Sequence, residues 1–343
     1  MTLPANSSSM LRVMLGGDVM LGRLVKECIL RFGTNYPLGP IAELMHQSDL
    51  TIVNLECAIT ETTDIWSGAP KAFYFGAPPQ AADTLANAGV DLVSLANNHV
   101  LDCGVEGLRD TLRHLEEHGI HHAGAGIDIG DALSPAIIER GGLRFGMAAF
   151  CDHQADFAAG ENSPGIAWLD FDDEPAVIES WRRALASMQR AAIDWPILSL
   201  HWGPNMVLRP SDRFVRLAHA AIDMGWKILF GHSAHVFQGI ELYRGYPIFY
   251  AAGDLVDDYY VDPDFDNDHQ LLFELELAGT TLRSIQLYPV HIERCRTGTA
   301  NDTQFKHVAE RITSACAEMG TTVLKSGAEI WIAVNGQGKN HGR

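Results

Sequence analysis

The chain has 343 residues and 47% of them are apolar, so a sizeable hydrophobic core can form and disorder is not expected. Acidic residues number 43 against 25 basic ones, which gives a formal net charge of -18. This charge disfavours a nucleic-acid partner and an anionic membrane surface, because both are negatively charged and would be repelled.

Strands and helices alternate along the chain, and hairpins are inserted between them. Hydrophobic periodicity predicts strands at 12–21, 50–56, 91–99, 196–201, 226–232 and 329–335. It predicts helices at 105–118, 174–190, 212–225 and 303–319. Hairpins are expected to turn at Gly141-Gly142, near Gly245 and at Gly279. This order is typical of an α/β fold in which helices cover mixed sheets.

The composition also suggests how the chain is organised. Residues 1–10 and 336–343 read as a flexible N-terminus and tail, and 11–335 as one catalytic domain, since no linker interrupts it. No basic region leads into an apolar stretch at the N-terminus and no long apolar run follows, so a cytoplasmic location without membrane contact is expected. The six cysteines form no CxxC pair, which favours reduced core residues.

Polar side chains stand where the predicted strands end. In open α/β sheets these carboxyl ends converge on one crevice. Carboxylate, amide and imidazole groups together suit a divalent cation. Each residue alone has a simpler explanation as a turn former or a hydrogen-bonded structural histidine, but the joint pattern predicts one metal site. The residues are Asp18, Asn54, Glu56, Asn98, His99, His201, His232, His235 and Asp254.

Seven segments between about Arg12 and Leu287 resemble, in the right order, the successive motifs of the CapA proteins. That family is known for capsule and poly-γ-glutamate formation and belongs to the calcineurin-like metallophosphoesterase superfamily. The resemblance implies a calcineurin-like four-layer αββα sandwich with two mixed sheets and metal at the strand ends. The segments are GGDVMLGR, NLECAIT, KAFYFGAPP, LANNHVLDCG, HWGPN, GHSAHVFQGIE and IFYAAGD.

The resemblance also implies a role for each motif position. His99 matches the histidine used as general acid. The implied metal ligands are Asp18, Glu56 or Asn54, Asn98, His201, His232 and His235.

Several positions depart from the pattern of a two-metal phosphatase. Met20 stands where that pattern has histidine, and a thioether is a poor ligand for a hard cation. The closing pair, GHSAH, is one residue wider than usual. Only Asp18 and Glu56 are clear anions, whereas two neighbouring cations need anionic ligands between them. The sequence therefore favours one divalent ion per chain, with Ca²⁺, Mg²⁺, Mn²⁺ and Zn²⁺ all left open.

Two His/Asp pairs are expected beside this ion: His99 with Asp102, and His232 or His235 with Asp254. A carboxylate on the far ring nitrogen fixes the imidazole tautomer and raises its basicity. Asp102 could instead cap the helix that begins near residue 105, and Asp254 could be a turn residue.

Two bases beside a metal suit removal and return of a proton at an acidic carbon. A soluble branch of the same family resembles lasso-peptide epimerases, which invert the C-terminal residue of a ribosomal precursor peptide. We therefore expect a metal-dependent peptide epimerase. The alternatives are a metal-dependent hydrolase of a phosphoester or γ-glutamyl bond in a peptide or small anionic substrate, and a non-enzymatic binding protein.

Four residues are candidates for substrate contact. Arg23 and Lys71 could hold a peptide carboxylate, although an ordinary surface pair is the simpler explanation. Trp202 and Phe73 could face an aromatic side chain or pack in the core. Among the histidines outside the motifs, His153 follows a predicted strand and is the first to consider for the site.

Overall fold

The structure is a computed structural model that describes residues 10–334, so the expected flexible segments lie outside it except for Met10. The strands are β1 (Met10–Val19), β2 (Leu50–Leu55), β3 (Ala58–Ile59), β4 (Gly76–Ala77), β5 (Leu92–Ser94), β6 (His121–Ala123), β7 (Ala125–Gly126), β8 (Ala136–Arg140), β9 (Leu143–Cys151), β10 (Gly165–Ile166), β11 (Trp195–His201), β12 (Ile228–His232), β13 (Ile240–Tyr243), β14 (Tyr246–Phe249), β15 (Asp254–Val256), β16 (His269–Ala278), β17 (Thr281–Ile292), β18 (Thr297–Thr299), β19 (Val323–Ser326) and β20 (Glu329–Ala333).

Helices of very different length connect these strands, and none in the described part of the chain combines the length and apolar character needed to cross a bilayer. The helices are α1 (Arg23–Phe32), α2 (Gly39–Met45), α3 (Gln80–Asn87), α4 (Gly104–Glu117), α5 (Ile129–Ala132), α6 (Glu174–Arg190), α7 (Asp212–Met224) and α8 (Asp302–Glu318).

Two mixed sheets form the centre of the fold. The larger has the order β19-β20-β17-β16-β1-β2-β5-β6, with β15 added beside β1 and β18 beside β17. The smaller has the order β13-β14-β12-β11-β9-β8. Within them β1, β2, β5 and β6 run parallel, as do β9, β11, β12 and β14. Strands of both sheets therefore bring their carboxyl ends to one edge.

The sheets pack face to face and helices cover their outer faces. Phe249 of the smaller sheet meets Phe273 of the larger one, with ring centroids 5.1 Å apart, inside one continuous core. Trp181 of α6 and Leu217 of α7 are buried on the other side of the smaller sheet. Helices α2 and α8 pack on the larger sheet, and the strands between these layers are apolar on both faces. The four-layer αββα architecture expected from the sequence is confirmed.

Helices α6, α7 and α8 begin with the side-chain caps that their sequences provide. Asp173 accepts a hydrogen bond from the backbone N–H of Ala176 at the start of α6. Asn301 and Gln304 form a reciprocal capping box at the start of α8. By contrast, α1, α2 and α3 have no side-chain cap hydrogen bond, and the sequence analysis missed all three.

Two glycines allow the closest approach in the fold. A Cβ on Gly17 of β1 would lie 1.9 Å from the carbonyl oxygen of Gly253, which itself has a left-handed φ of 75°. Because neither residue has a side chain, β15 pairs directly with β1 and Asp254 lies opposite Asp18. This contact positions two carboxylates side by side.

Candidate metal centre

The polar residues predicted at the strand ends lie together at the edge where the two sheets meet. Asp18 is the penultimate residue of β1, and Glu56 follows the last residue of β2. His201 and His232 end the neighbouring strands β11 and β12. All four side chains are buried, with relative exposures of 1% or less. The tertiary structure therefore brings together residues that are more than 200 positions apart.

Asp18 is the residue on which the other side chains converge. Its Oδ1 accepts a hydrogen bond of 2.8 Å from the Asn54 amide and lies 3.7 Å from Nδ1 of His232. Its Oδ2 accepts the Ser233 N–H at 3.1 Å and lies 3.5 Å from Nδ1 of His235. The carboxylate is thus held in position by donors from both sheets.

Asn54 holds the Asp18 carboxylate in position through the hydrogen bond that it donates. Its own Oδ1 accepts a hydrogen bond from the Asn97 amide at 3.1 Å, so the amide is oriented by β5 as well as by β1. The Glu56 carboxylate lies 3.8 Å from Nε2 of His201 and 4.0 Å from Nε2 of His99, so it faces the same cluster. Asn54 and Glu56 both stay candidate ligands for the bridging position.

The loop after β12 turns both closing histidines toward the centre. Ser233 and His235 have φ values of 98° and 58°, in the left-handed region that non-glycine residues rarely occupy. This backbone costs conformational energy, and it accommodates the additional residue in the GHSAH motif. The wider spacing therefore does not remove His235 from the cluster.

Two groups of ligand atoms overlap in this cluster. One contains Asp18, His201 and His232, and the other contains Asp18, Glu56, His235 and Asp254. Within each group one ligand atom per residue lies within 4.8 Å of the others. Asp18 belongs to both groups, so the two groups form one continuous set of candidate ligands for divalent metal. The prediction of one ion rests on Met20, on the wider closing pair and on Asp18 and Glu56 as the clear anions. The cluster adds Asp254 as a further anion, and the number of bound ions stays a prediction.

The protein does not fully compensate the negative charge of the buried carboxylates, so their pKa values are raised. Burial and the charge of Asp254 raise the pKa of Asp18 to about 7. Burial and the charge of Asp18 raise the pKa of Glu56 well above its usual value. Burial alone would lower the pKa of His235, but Asp254 and Glu56 raise it well above its usual value. A bound cation would remove this conflict by favouring the ionised carboxylates.

The two histidines that end β11 and β12 are held neutral. Burial lowers the pKa of His201 well below its usual value and that of His232 to about 3. Their Nδ1 atoms lie 2.8 Å apart, and Nε2 of His232 lies 2.9 Å from the hydroxyl of Ser199. A neutral imidazole whose far nitrogen donates to a hydroxyl presents its lone pair at Nδ1, as a metal ligand must.

The predicted His99–Asp102 pair is formed beside this cluster. Nδ1 of His99 lies 2.5 Å from the Asp102 carboxylate, which also accepts the Phe75 N–H and contacts Lys71. The His99 ring stacks on Phe75 at 3.9 Å, and its Nε2 lies 4.0 Å from Oε1 of Glu56. Helix α4 has no side-chain cap, so Asp102 serves this pair and not the helix. The other predicted pair is also formed, and His235 is the partner of Asp254 at 2.9 Å.

Unpartnered oxygens provide a direct test of whether a cation fits. Within residues 10–334, Oδ1 of Asn98 and Oδ2 of Asp254 are buried and have no hydrogen-bond partner. Leaving such atoms unsatisfied is costly in a folded protein. Both are hard oxygen donors, and both belong to residues predicted to bind metal or to act beside it. The donor set therefore fits a divalent cation.

The predicted substrate-binding residues lie in three different environments. The guanidinium of Arg23 lies 4.9 Å from the ring of the exposed Phe73 and pairs with Asp258 at 3.3 Å. Lys71 is buried, and its ammonium group contacts Asp102 and the carbonyl oxygen of Asn98. Trp202 is 3% exposed and donates from its indole to the Tyr250 carbonyl at 2.9 Å. Lys71 and Trp202 are thus engaged within the protein, whereas Arg23 is partly exposed.

Two residues of the site were not assigned by the sequence analysis. Tyr259 donates to Glu56 at 3.5 Å, and its ring centroid lies 5.0 Å from that of His235. His153 lies 2.9 Å from the Ser233 hydroxyl and its ring is 5.5 Å from that of His201. His153 had been noted because it follows a strand. Tyr259 had no such signal, since it lies in a loop of the larger sheet.

Comparison with known proteins gives the same assignment as the motifs. The model of the bacterial capsule synthesis protein family PGA_cap matches residues 12–259. A probable polyglutamine synthesis accessory protein of Mycobacterium tuberculosis (strain CDC 1551 / Oshkosh) is 29% identical, over 93% of this chain and 95% of that protein. The capsule biosynthesis protein CapA of Bacillus anthracis is 30% identical, over 71% of this chain and 58% of that protein.

One solved structure is similar at a greater distance. It is a 5′-nucleotidase precursor from Thermus thermophilus, 12% identical, with a TM-score of 0.49 over 91% of this chain and 60% of that chain. A similarity at this level supports no argument about function. The family match, by contrast, spans most of the described residues and all seven motifs, and the chain belongs to the bacterial capsule synthesis protein family PGA_cap.

Proposed function

We propose that this chain is a metal-dependent hydrolase that cleaves γ-glutamyl amide bonds in a polyglutamate-type substrate. The observation that supports this most directly is that Asp18 belongs to two ligand groups, so two cations can share one carboxylate. Paired divalent cations supply Lewis acidity to both the attacking and the departing side of a hydrolytic reaction. The names of the relatives, which refer to polyglutamine and capsule synthesis, favour a glutamyl substrate.

The proton transfers in this reaction would be carried out by His99. Burial lowers its pKa to about 4, although Asp102 opposes this change, so the imidazole is neutral near pH 7. With Nδ1–H donating to Asp102, the lone pair lies on Nε2, which points toward Glu56. Nε2 would accept a proton from water as the water oxygen bonds to the amide carbon. It would then return the proton to the amine as the C–N bond breaks.

Arg23 is the residue best placed to bind the substrate from outside. Its side chain is 35% exposed, and it lies over Phe73, whose side chain is 55% exposed. From Phe73 a series of rings leads inward through Phe75 to His99. A guanidinium at the outer end of this series can bind a substrate carboxylate in bidentate geometry while the adjacent amide reaches His99.

The proposal can be tested by incubating poly-γ-glutamate in buffered D₂O with protein that is loaded with Mn²⁺ or Zn²⁺. We expect the polymer to shorten, as measured by mass spectrometry, and chelation to stop the reaction. His99→Gln should reduce the rate about 100-fold, because general acid–base catalysis contributes that much or more. His219→Gln is the matched control, because it removes a partly exposed pair between His219 of α7 and Glu241 of β13. An unchanged polymer with fully loaded protein would contradict the proposal.

Epimerisation of a peptide Cα centre is the second candidate, because one His–Asp pair lies beside the cluster and the other, His235 with Asp254, would act as base if only the Asp18, His201 and His232 group held metal. His235 with Asp254 could remove the Cα proton while His99 with Asp102 returns one, or the reverse. The experiment in D₂O separates the two functions. Deuterium at Cα without cleavage, in poly-γ-glutamate or a ribosomal precursor peptide, would favour epimerisation. Cleavage without Cα deuterium would favour hydrolysis.

A further inference from the structure

A second convergence of histidines and carboxylates lies at the start of β16. We call Asp268, His269 and His291 the C-terminal histidine cluster. Asp268 contacts both imidazoles, at 2.7 Å from Nδ1 of His269 and 3.1 Å from Nε2 of His291. The three side chains offer ligand atoms that all lie within 4.8 Å of one another. The cluster begins nine residues after residue 259, where the family match ends.

Regular secondary structure sets this geometry. His269 and His291 are directly opposite each other in the antiparallel pair β16–β17, with ring centroids 4.9 Å apart. His307 of α8 adds a third imidazole, whose ring centroid lies 5.1 Å from that of His269. It lies 3.1 Å from Asp266. Two strands, one helix and the preceding loop thus contribute side chains to one small volume.

The C-terminal histidine cluster brings together more imidazole groups than an ordinary ion pair does. An ordinary ion pair joins one imidazole to one carboxylate, as in the partly exposed pair of His219 with Glu241. Here two imidazoles converge on Asp268 and a third packs edge-on against one of them. The contacts of Asp268 with His269 and His291 are hydrogen bonds of 2.7 and 3.1 Å to its two different oxygens. Ligands of a tetrahedral Zn²⁺ at about 2.0–2.1 Å are roughly 3.3 Å apart, so small side-chain movements would bring the three ligand atoms, which lie within 4.8 Å of one another, to the spacing of a bound site.

We propose that the C-terminal histidine cluster, with His307 or water as fourth ligand, is a binding site for a borderline transition-metal cation of the Zn²⁺ type. Imidazole and carboxylate together are suitable ligands for such a cation. The side chains of Asp268, His269 and His291 are 17–19% exposed, so a cation can enter without unfolding. The net charge of -18 attracts cations to the surface.

A cation bound to the C-terminal histidine cluster would link α8 to the larger sheet and restrain one end of the loop between β15 and β16. The loop between β15 and β16 carries Tyr259, which contacts Glu56 in the metal centre. Its other end carries Asp266, whose backbone has a left-handed φ of 45°. Arg311 of α8 already donates to the Phe265 carbonyl at 2.9 Å in the same loop. A cation on the cluster would therefore hold the loop end at a second point.

Zn²⁺ binding to Asp18→Asn protein tests the proposal, because that substitution removes the ligand common to both groups of the metal centre. Full-length protein is stripped with chelator and equilibrated with Zn²⁺, and bound metal is measured by elemental analysis. We expect one equivalent to remain bound in Asp18→Asn protein. It should be lost, or weakened at least tenfold, on adding His291→Gln, and it should be retained on adding His219→Gln.

Thermal unfolding provides the second measurement. Zn²⁺ should raise the unfolding temperature of Asp18→Asn protein and leave that of Asp18→Asn/His291→Gln protein unchanged, because only the former binds the cation in its folded state. His269→Gln replaces His291→Gln if the latter does not fold in the absence of metal. Equal Zn²⁺ binding by the His291→Gln and His219→Gln proteins would overturn the proposal.

Discussion

The metal centre and the C-terminal histidine cluster use the same side chains in different surroundings. In the metal centre Asp18 is 1% exposed, and burial together with Asp254 raises its pKa to about 7. In the cluster the Asp268 side chain is 17% exposed. Burial there would raise the pKa of Asp268, but hydrogen bonds from His269 and His291 lower it below its usual value. Burial, more than residue type, thus decides how much a bound cation would favour the ionised carboxylate.

The metal centre and the C-terminal histidine cluster also differ in the conformational strain of their backbones. The metal centre depends on left-handed residues at Ser233 and His235 and on the close contact of Gly17 with Gly253. The cluster depends mainly on the register of one β-hairpin, with one left-handed residue, Asp266, beside it. Strained backbone persists where the surrounding structure over-determines it, and it is concentrated at functional sites. The metal centre is the more strained of the two sites, which agrees with the proposed function.

The largest expected effect is the loss of the ligand that both metal positions share. Asp18→Asn should reduce catalytic activity about 1,000-fold or more, because bound metal contributes several kcal/mol of transition-state stabilisation. Elemental analysis measures the loss of bound metal, and substrate turnover measures the loss of activity. The matched variant Asp268→Asn should leave turnover within about twofold. Equal losses in both variants would remove the distinction between the two sites.

A stability effect should follow from the buried pair beside the metal centre. Lys71→Met leaves the Asp102 carboxylate with one fewer partner, since the Lys71 and Asp102 side chains are 8% and 0% exposed. Breaking a buried pair from one side costs about 3 kcal/mol of unfolding free energy, measured by urea denaturation. The double variant Lys71→Met/Asp102→Asn should lose less than the sum of the two single variants. Strict additivity would show that the pair is not coupled.

The pH dependence of metal affinity should also distinguish the two sites. A cation at the metal centre displaces protons from Asp18, Glu56 and His235, whose pKa values are all raised, so affinity for Mn²⁺ should rise by at least tenfold per pH unit up to about 7. In metal-free protein the folding stability changes with pH in the opposite direction and falls as the pH rises. The raised pKa of Asp18 stabilises the folded state fully below about 3.8, and this contribution is lost as the pH rises through 7. Calorimetric titration and thermal unfolding between pH 4 and 8 measure both trends.

The smallest effect is expected at the C-terminal histidine cluster without metal. His291→Gln should change the unfolding free energy by less than about 1 kcal/mol, because a partly exposed ion pair contributes little. Urea denaturation in the presence of chelator measures this change. A loss near that of Lys71→Met would show that the cluster is an essential part of the core.

Much of the fold could be predicted from local pattern. The helix predicted at 174–190 has these bounds in the structure, and the hairpin turns at Gly245 and Gly279 are present, because period and turn chemistry act over short distances. Helices α1 to α3 were missed because they are short and lack side-chain caps. Their stability comes from packing on neighbouring elements, which a single sequence does not display.

The residues able to bind a cation could be identified without coordinates, since strand ends in a parallel sheet meet at one edge and the motifs are those of the PGA_cap family. Their grouping depends on tertiary packing. Asp254 reaches Asp18 because glycines let β15 approach β1, and the Asn54 amide is oriented by its hydrogen bonds with Asp18 and Asn97. The three residues His269, His291 and His307 meet because a hairpin register and a helix bring them together. Ligand sets depend on distances of a few ångströms between residues far apart in the chain, and those distances are set by packing.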